Sequence, residues 1–371
     1  MEVLYQNLLA VTPQQVIMWI IGGLLIFLAI KKDMEPTLLL PMGFGAILVN
    51  LPNSGAKAVI NHLFDIGISN ESHELFPLIL FIGIGAMIDF KPLLTNPKLM
   101  LFGAAAQFGI FFTLCMATLL GFDIKDAASV AIIGAADGPT SIYVAQTLGS
   151  KYTAAIMVAA YSYMALVPIV QPPIIKLCTT KKERRIRMSY TNKQVSKLTE
   201  ILFPIVVTVI VGLVAPDAVA LIGFLMFGNL IRVCGVLDSL SETAQKVLAN
   251  LITIFLGITI ASRMTAEDFL VPETLFIMAL GLVAFIFDTF GGVMLAKLMN
   301  LFMKEKINPM IGAAGISAFP MSARVVHKLG LQEDNQNFLL MHATGVNVSG
   351  QVASVIAGGL ILTLVGGALG Q

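Results

Sequence analysis

One acid stands in the middle of an otherwise uncharged stretch. Residues 127–150 contain Gly134-Ala135-Ala136-Asp137-Gly138-Pro139-Thr140-Ser141, where a carboxylate, a glycine and a proline fall together. Gly and Pro interrupt a helix and release carbonyls and amides that the helix would have consumed. A lone Asp at the centre of a bilayer costs roughly 2.5–3.5 kcal/mol. A bound cation offsets that cost; a neighbouring Arg or Lys is the structural alternative. A second stretch reads Asn308-Pro309-Met310-Ile311-Gly312-Ala313-Ala314-Gly315-Ile316-Ser317-Ala318-Phe319-Pro320-Met321-Ser322-Ala323-Arg324. Asn308, Ser317 and Ser322 supply neutral oxygen, the ligand type hard cations prefer. Arg324 is a fixed charge able to grip a carboxylate with two parallel hydrogen bonds, unless it snorkels to the membrane surface. Tyr163 in the apolar run 152–175 and Asn347 in 335–371 add polar groups, though each alone is also an ordinary satisfied core residue. Asp288, read as lying near the cytoplasmic end of its apolar run, is given no role.

The elements that position these groups are set by composition. Hydrophobic residues make up 57% of the 371 and charged residues only 12%, against about 25% charged in a soluble domain. Uncharged stretches at 3–30, 36–56, 99–122, 152–175 and 335–371 are long enough to cross a bilayer that needs about 20 apolar residues. Shorter ones at 75–88, 201–216, 218–231, 247–262 and 274–287 cross if their end charges snorkel. Cys115, Cys178 and Cys234 are too scattered for a disulfide framework or a zinc site. The N-terminus lacks a signal-peptide pattern, so the first helix is expected to be retained.

Segment 176–197 gathers Lys176, Lys181, Lys182, Arg184, Arg185, Arg187, Lys193 and Lys197 against Glu183. The positive-inside rule places it in the cytoplasm, and no nucleic-acid role is expected in so hydrophobic a chain. It also falls near the midpoint of the chain, between two halves that resemble each other. Gly134-Ala135-Ala136 recurs as Gly312-Ala313-Ala314, and Pro139, Ser141, Val144, Leu148 and Gly149 recur as Pro320, Ser322, Val325, Leu329 and Gly330. Keeping all basic loops on one side requires 126–149 and 305–330 each to enter and leave on the same side. The expectation is therefore an all-α polytopic membrane protein of two inverted repeats, with about ten transmembrane helices, two re-entrant hairpins and both termini outside. Its parts are an N-terminal helix (1–35), a first repeat (36–177), a basic linker (178–198) and a second repeat (199–371).

At these residues the chain resembles the β subunits of the biotin-dependent sodium-pumping decarboxylases, which act on oxaloacetate, methylmalonyl-CoA, glutaconyl-CoA or malonate. The resemblance covers nearly the whole chain and rests on Ile133-GAADGPTSIYVA-Gln146, Ala160-YSYMALVPIVQPPI-Ile175 and Asn308-PMIGAAGISAFPMSAR-Val325. It implies decarboxylation of carboxybiotin at the cytoplasmic side, coupled to outward Na+ transport in the cytoplasmic membrane of a bacterium or archaeon. It implies partners too: a soluble carboxyltransferase, a biotin carrier protein, a small single-helix membrane subunit and further copies of this chain. An elevator-like core and scaffold are implied as well. The family's functional positions match at Asp137, Tyr163, Asn308, Gly312, Ser317, Arg324 and Asn347. In the resulting expectation Na+ is held by Asp137, Asn308, Ser317 and Asn347. Arg324 and Gly312 receive carboxybiotin, with Arg324, Tyr163 and Ser317 serving the reaction. One departure is Val346, where the family reads Pro between Gly345 and Asn347. The competing class is a secondary Na+-coupled carboxylate or proton antiporter; a passive membrane anchor would need no paired polar hairpins.

Overall fold

A computed structural model of the chain describes residues 9–32, 36–69, 74–189 and 194–369, with Tyr5 and Asn7. Lys193, counted above in the basic linker, lies outside the described residues. Regular structure among the described residues is entirely helical, as lipid requires of a chain whose backbone groups must be satisfied within each segment. Eight helices are long and apolar enough to cross a membrane, and two shorter ones, Pro36–Val49 and Leu75–Met87, are similarly apolar.

In chain order these are α1 (Pro13–Lys32), α2 (Pro36–Val49), the short α3 (Ala56–Gly67) and α4 (Leu75–Met87). Next come α5 (Met100–Ala106) and α6 (Phe108–Leu119), halves of one span interrupted at Gln107. The first hairpin is α7 (Ile124–Ala131) and α8 (Gly138–Thr147), followed by α9 (Thr153–Cys178). Beyond the linker lie α10 (Lys197–Val214), α11 (Val219–Val233), α12 (Asp238–Arg263) and α13 (Pro272–Phe302). The second hairpin ends in α14 (Met321–Glu333), and α15 (Leu340–Leu369) closes the chain. α15 runs unbroken through Val346, where a proline would have removed a backbone donor.

The apolar run 274–287 proves to be part of a helix of 31 residues. It ended at Asp288 in the sequence only because Asp288 is itself the charge. Asp288 thus lies near the middle of α13 and is fully buried, not near the helix end.

Both broken segments return to the end from which they start. α7 and α8 have 8 and 10 residues, about 12–15 Å of helix each, half of a hydrocarbon layer of about 30 Å. Asp126, at the start of α7, accepts hydrogen bonds from Ser150 Oγ (2.7 Å) and Lys151 N (3.2 Å), beyond the end of α8. In the second segment Asn308 and Asn337, before and after it, both donate to the Arg184 carbonyl at 2.9 Å. These two mouths sit at opposite ends of α9, whose 26 residues span about 39 Å. Each hairpin therefore enters from a different end of the bundle.

The helices pack as two groups. α10, α11, α4, α12, α2 and α1 contact one another in succession, while α13 and α15 hold α5, α6, α9 and both hairpins. The linker is strapped to the second hairpin: Arg184 pairs with Glu333 at 2.7 Å and Arg187 with Asp334 at 2.7 Å. The Arg187 hydrogen bond holds the Asp334 carboxyl below its usual range.

Cys178 ends α9 at the mouth of this linker and is partly exposed. With Cys115 and Cys234 replaced by Ser, a membrane-impermeant maleimide is expected to label Cys178 in inside-out vesicles and not in intact cells. Labelling in intact cells would reverse the orientation drawn from the basic loops.

Candidate functional site

The first hairpin tightens into a 3-10 turn at Ile132–Ala135, and Ala136 takes a left-handed conformation (φ 51°). Asp137 is then extended and caps α8, its Oδ1 accepting from Thr140 N at 3.3 Å. The local sequence dictates this arrangement: Asp is a strong N-cap, and Pro139 sits in the first turn, where its missing N–H is not needed. The second hairpin reaches the same point from the other end. Ser317 N donates to the Ala135 carbonyl at 2.9 Å, joining the two tips through the backbone.

Around Asp137 the polar groups converge. Its Oδ2 accepts from Ser317 Oγ (2.9 Å), Gln351 Nε2 (3.1 Å) and Ser354 Oγ (2.8 Å). The carboxylate is 3% exposed and forms no ion pair among the described residues. The Arg or Lys partner that was the structural alternative is thus not found there. Donors on both oxygens are what an ionised carboxylate needs. Asn347 anchors the second tip, its Nδ2 donating to the Ala314 (3.1 Å) and Ile316 (2.7 Å) carbonyls. Asn347 Oδ1 is buried and without a hydrogen-bond partner. An anion and a bare oxygen acceptor buried on these same elements leave the region short of positive charge, which a small hard cation supplies.

Asp137, Ser317 and Asn347 are therefore gathered where the hairpins meet. Asn308 is not among them. It opens the second hairpin at the linker end, accepting from Met310 N and donating to the Arg184 and Ile186 carbonyls. As an Asn at the start of a helical turn it serves the backbone. Tyr163 also points elsewhere: its hydroxyl donates to the Met278 carbonyl and its ring stacks on Phe285. Arg324 is exposed in the first turn of α14 and forms no ion pair among the described residues. Ser322 bonds Gln171 and the Ala313 carbonyl, tying the second hairpin to α9.

Gly312 lies in packing rather than at an open surface. A Cβ there would fall 2.0 Å from the Gly292 carbonyl oxygen of α13, and one on Gly292 would fall 2.1 Å from that of Gly312. The pair lets the second hairpin lie directly on α13. Gly312→Ala should lower detergent-solubilised stability by about 1–3 kcal/mol, the usual cost of overpacking. An unchanged thermal midpoint would show that this contact is not made.

Gln351 and Ser354 are the site residues that the sequence reading missed. Tyr161 is another: its ring lies where a Cβ on Gly138 would be, 2.5 Å away, and its hydroxyl is buried without a hydrogen-bond partner. Asn347, Gln351 and Ser354 stand four and three residues apart in the sequence, the spacing of one helix face. That polar stripe in an uncharged run was the available signal.

A helical, multi-pass membrane protein in which two oppositely entering hairpins enclose a carboxylate belongs to the class that binds an ion within the bilayer. Comparison with known proteins makes this specific. Residues 14–365 match the family described as the Na+-transporting oxaloacetate decarboxylase beta subunit. The chain is 45% identical to the oxaloacetate decarboxylase beta chain of Haemophilus ducreyi, with 96% of each chain covered. It is 48% identical to the glutaconyl-CoA decarboxylase subunit beta of Acidaminococcus fermentans, covering 96% of this chain and 95% of that one. It is also 48% identical to the methylmalonyl-CoA decarboxylase subunit beta of Veillonella parvula, over 96% and 94%. The chain belongs to this family of membrane beta subunits of sodium-transporting decarboxylases, each one part of a multi-subunit complex.

Proposed function

We propose that this subunit decarboxylates carboxybiotin and moves Na+ outward across the cytoplasmic membrane of its cell. The observation that carries the reading is the Asp137 carboxylate at the junction of the two hairpins, with Ser317, Gln351 and Ser354 on it. Na+ is the cargo of this site. Asp137 supplies the charge, and Ser317 and Asn347 supply oxygen.

On the linker side, read as cytoplasmic, a cavity of about 810 Å³ is lined by Lys98, Arg187 and Lys306 together with Phe102 and Met299. Glu305 shares that lining and Arg187 is paired with Asp334, so Lys98 and Lys306 are the groups that attract an anion arriving from that side. Arg324 is proposed to hold the carboxylate of carboxybiotin. In the reaction the bond between ureido nitrogen and carboxyl carbon breaks, CO2 leaves, and the nitrogen keeps the electron pair and takes a proton. Tyr163 or Ser317 is proposed to help move that proton; the Ser317 hydroxyl donates to Asp137 and the Tyr163 hydroxyl to the Met278 carbonyl. Moving one charge against 100 mV takes about 2.3 kcal/mol, so each decarboxylation need move only one or two ions.

The acid that feeds the complex is not specified by this chain. Relatives named for three different substrates share 45–48% of its residues, so a soluble carboxyltransferase and its biotin carrier are proposed to choose it. A small single-helix membrane subunit and further copies of this chain complete the proposed assembly. The test is decarboxylation by the purified native complex, which should be stimulated by Na+ and abolished by avidin. Na+ transport with no decarboxylation under any condition would instead make the chain a secondary carrier.

A further inference from the structure

We propose that Asp288 is a proton-binding site of this protein, a carboxylic acid held neutral behind the hairpin turn that carries Asp137. The argument starts from position. Asp288 is 0% exposed near the middle of α13. Its Oδ1 accepts from Ile110 N at 3.2 Å, at the start of α6, where the span is interrupted at Gln107. Its Oδ2 is buried with no hydrogen-bond partner.

That asymmetry is the pattern of a protonated acid. A COOH leaves only a neutral hydroxyl short of an acceptor at Oδ2, a smaller cost than the bare negative oxygen that a carboxylate leaves wherever a donor is absent. Asp137 is the contrast in the same protein, with three side-chain donors on Oδ2 and an amide on Oδ1. Two acids in such different surroundings divide the chemistry between them. One is built to stay ionised for a cation and the other to carry a proton.

Asp288 forms no ion pair among the described residues. Of the elements packed against α13, α5 and the two hairpin turns (132–135 and 309–315) carry no titratable group. α6 carries Cys115, and α9 carries Tyr161, Tyr163 and, in its last turn, Lys176 and Cys178. α7 has Lys125 and Asp126 in its first turn, and Glu267 and Asp268 lie in the short helix at 266–269. On α13 itself Glu273 is in the first turn, and Lys297 bonds the Cys178 carbonyl at the linker end.

The site is also mechanically connected. A Cβ on Gly134 would fall 2.7 Å from Asp288 Oδ2, and one on Gly109 would fall 2.6 Å from Oδ1. The carboxyl occupies the space that both glycines leave. Gly134 belongs to the turn that leads into Asp137. Loss of the proton would therefore put a second negative charge directly behind that turn and favour its displacement. Supplying the proton that decarboxylation consumes is a use of Asp288 that rests on the proposed function; the protonation itself does not.

The test is infrared difference spectroscopy of the purified complex at neutral pH, with hydrogen–deuterium exchange to identify carboxylic acid C=O bands. Glu74, whose carboxyl burial pushes up to about 9, is the other acid expected to contribute. The variant Asp137→Asn/Glu74→Gln should keep one carboxylic acid band, unchanged by Na+ and lost on adding Asp288→Asn. No acid band in Asp137→Asn/Glu74→Gln would mean that Asp288 is ionised, whether or not the triple variant folds. A band that Na+ removes would make Asp288 a cation ligand. Either result overturns the proposal, and neither depends on decarboxylation.

Discussion

Asp137→Asn is expected to abolish Na+ binding and Na+-stimulated decarboxylation while the complex still assembles. The substitution keeps the shape, and Asn caps a helix about as well as Asp, so α8 should still start at Gly138. What is lost is the charge. At a separation of 4 Å and an effective dielectric of 20, a unit pair interacts by about 4 kcal/mol, on the order of a thousandfold in affinity. The amide also presents a second donor to Ser317, Gln351 and Ser354, which donate to the carboxylate. Calorimetric titration with Na+ and a decarboxylation assay on the same purified variant measure both losses. Wild-type Na+ activation in Asp137→Asn would make this carboxylate structural and remove the centre of the proposed site.

Asp137 was legible in the sequence because its signals are local. Gly134, Gly138 and Pro139 break the helix whatever packs around them, and the charge bookkeeping of the loops needed no tertiary information. The turn, the cap and the hairpin mouth at Asp126 and Ser150 follow from those local features. Ser317 was within reach for the same reason, being the hydroxyl nearest the middle of the second break. Gln351 and Ser354 escaped notice because α15 has no break. Their role depends on which face of a long helix turns inward, which only packing decides. Asn308 misled in the opposite sense. Its residue type suits a cation, but its place beside the linker commits it to the Arg184 and Ile186 carbonyls. Gly312 was expected, from the resemblance, to receive carboxybiotin, and the space it leaves is filled by Gly292. In both cases the residue serves backbone geometry that spacing alone does not reveal.

Arg324→Ala is expected to lower carboxybiotin decarboxylation about a hundredfold, the scale for removing one strong donor to a reacting anion, and Arg324→Lys about tenfold. Lys keeps the charge but loses the planar pair of parallel hydrogen bonds. Arg324 is exposed in the first turn of α14, a few residues beyond the tip that carries Ser317. Its guanidinium forms no ion pair among the described residues, unlike Arg184 and Arg187 on the linker, which are paired with Glu333 and Asp334. An exposed side chain of this kind contributes little to the fold, so both variants should assemble normally. Na+ binding should persist or strengthen, because removing a positive charge cannot weaken a cation site electrostatically. Calorimetric Na+ binding measured beside decarboxylation on each variant separates the two roles. Loss of Na+ affinity in Arg324→Ala with decarboxylation preserved would overturn the assignment of Arg324 to the carboxylate. Equal activity of Arg324→Lys and wild type would show that charge alone, without the two-pronged geometry, holds the substrate.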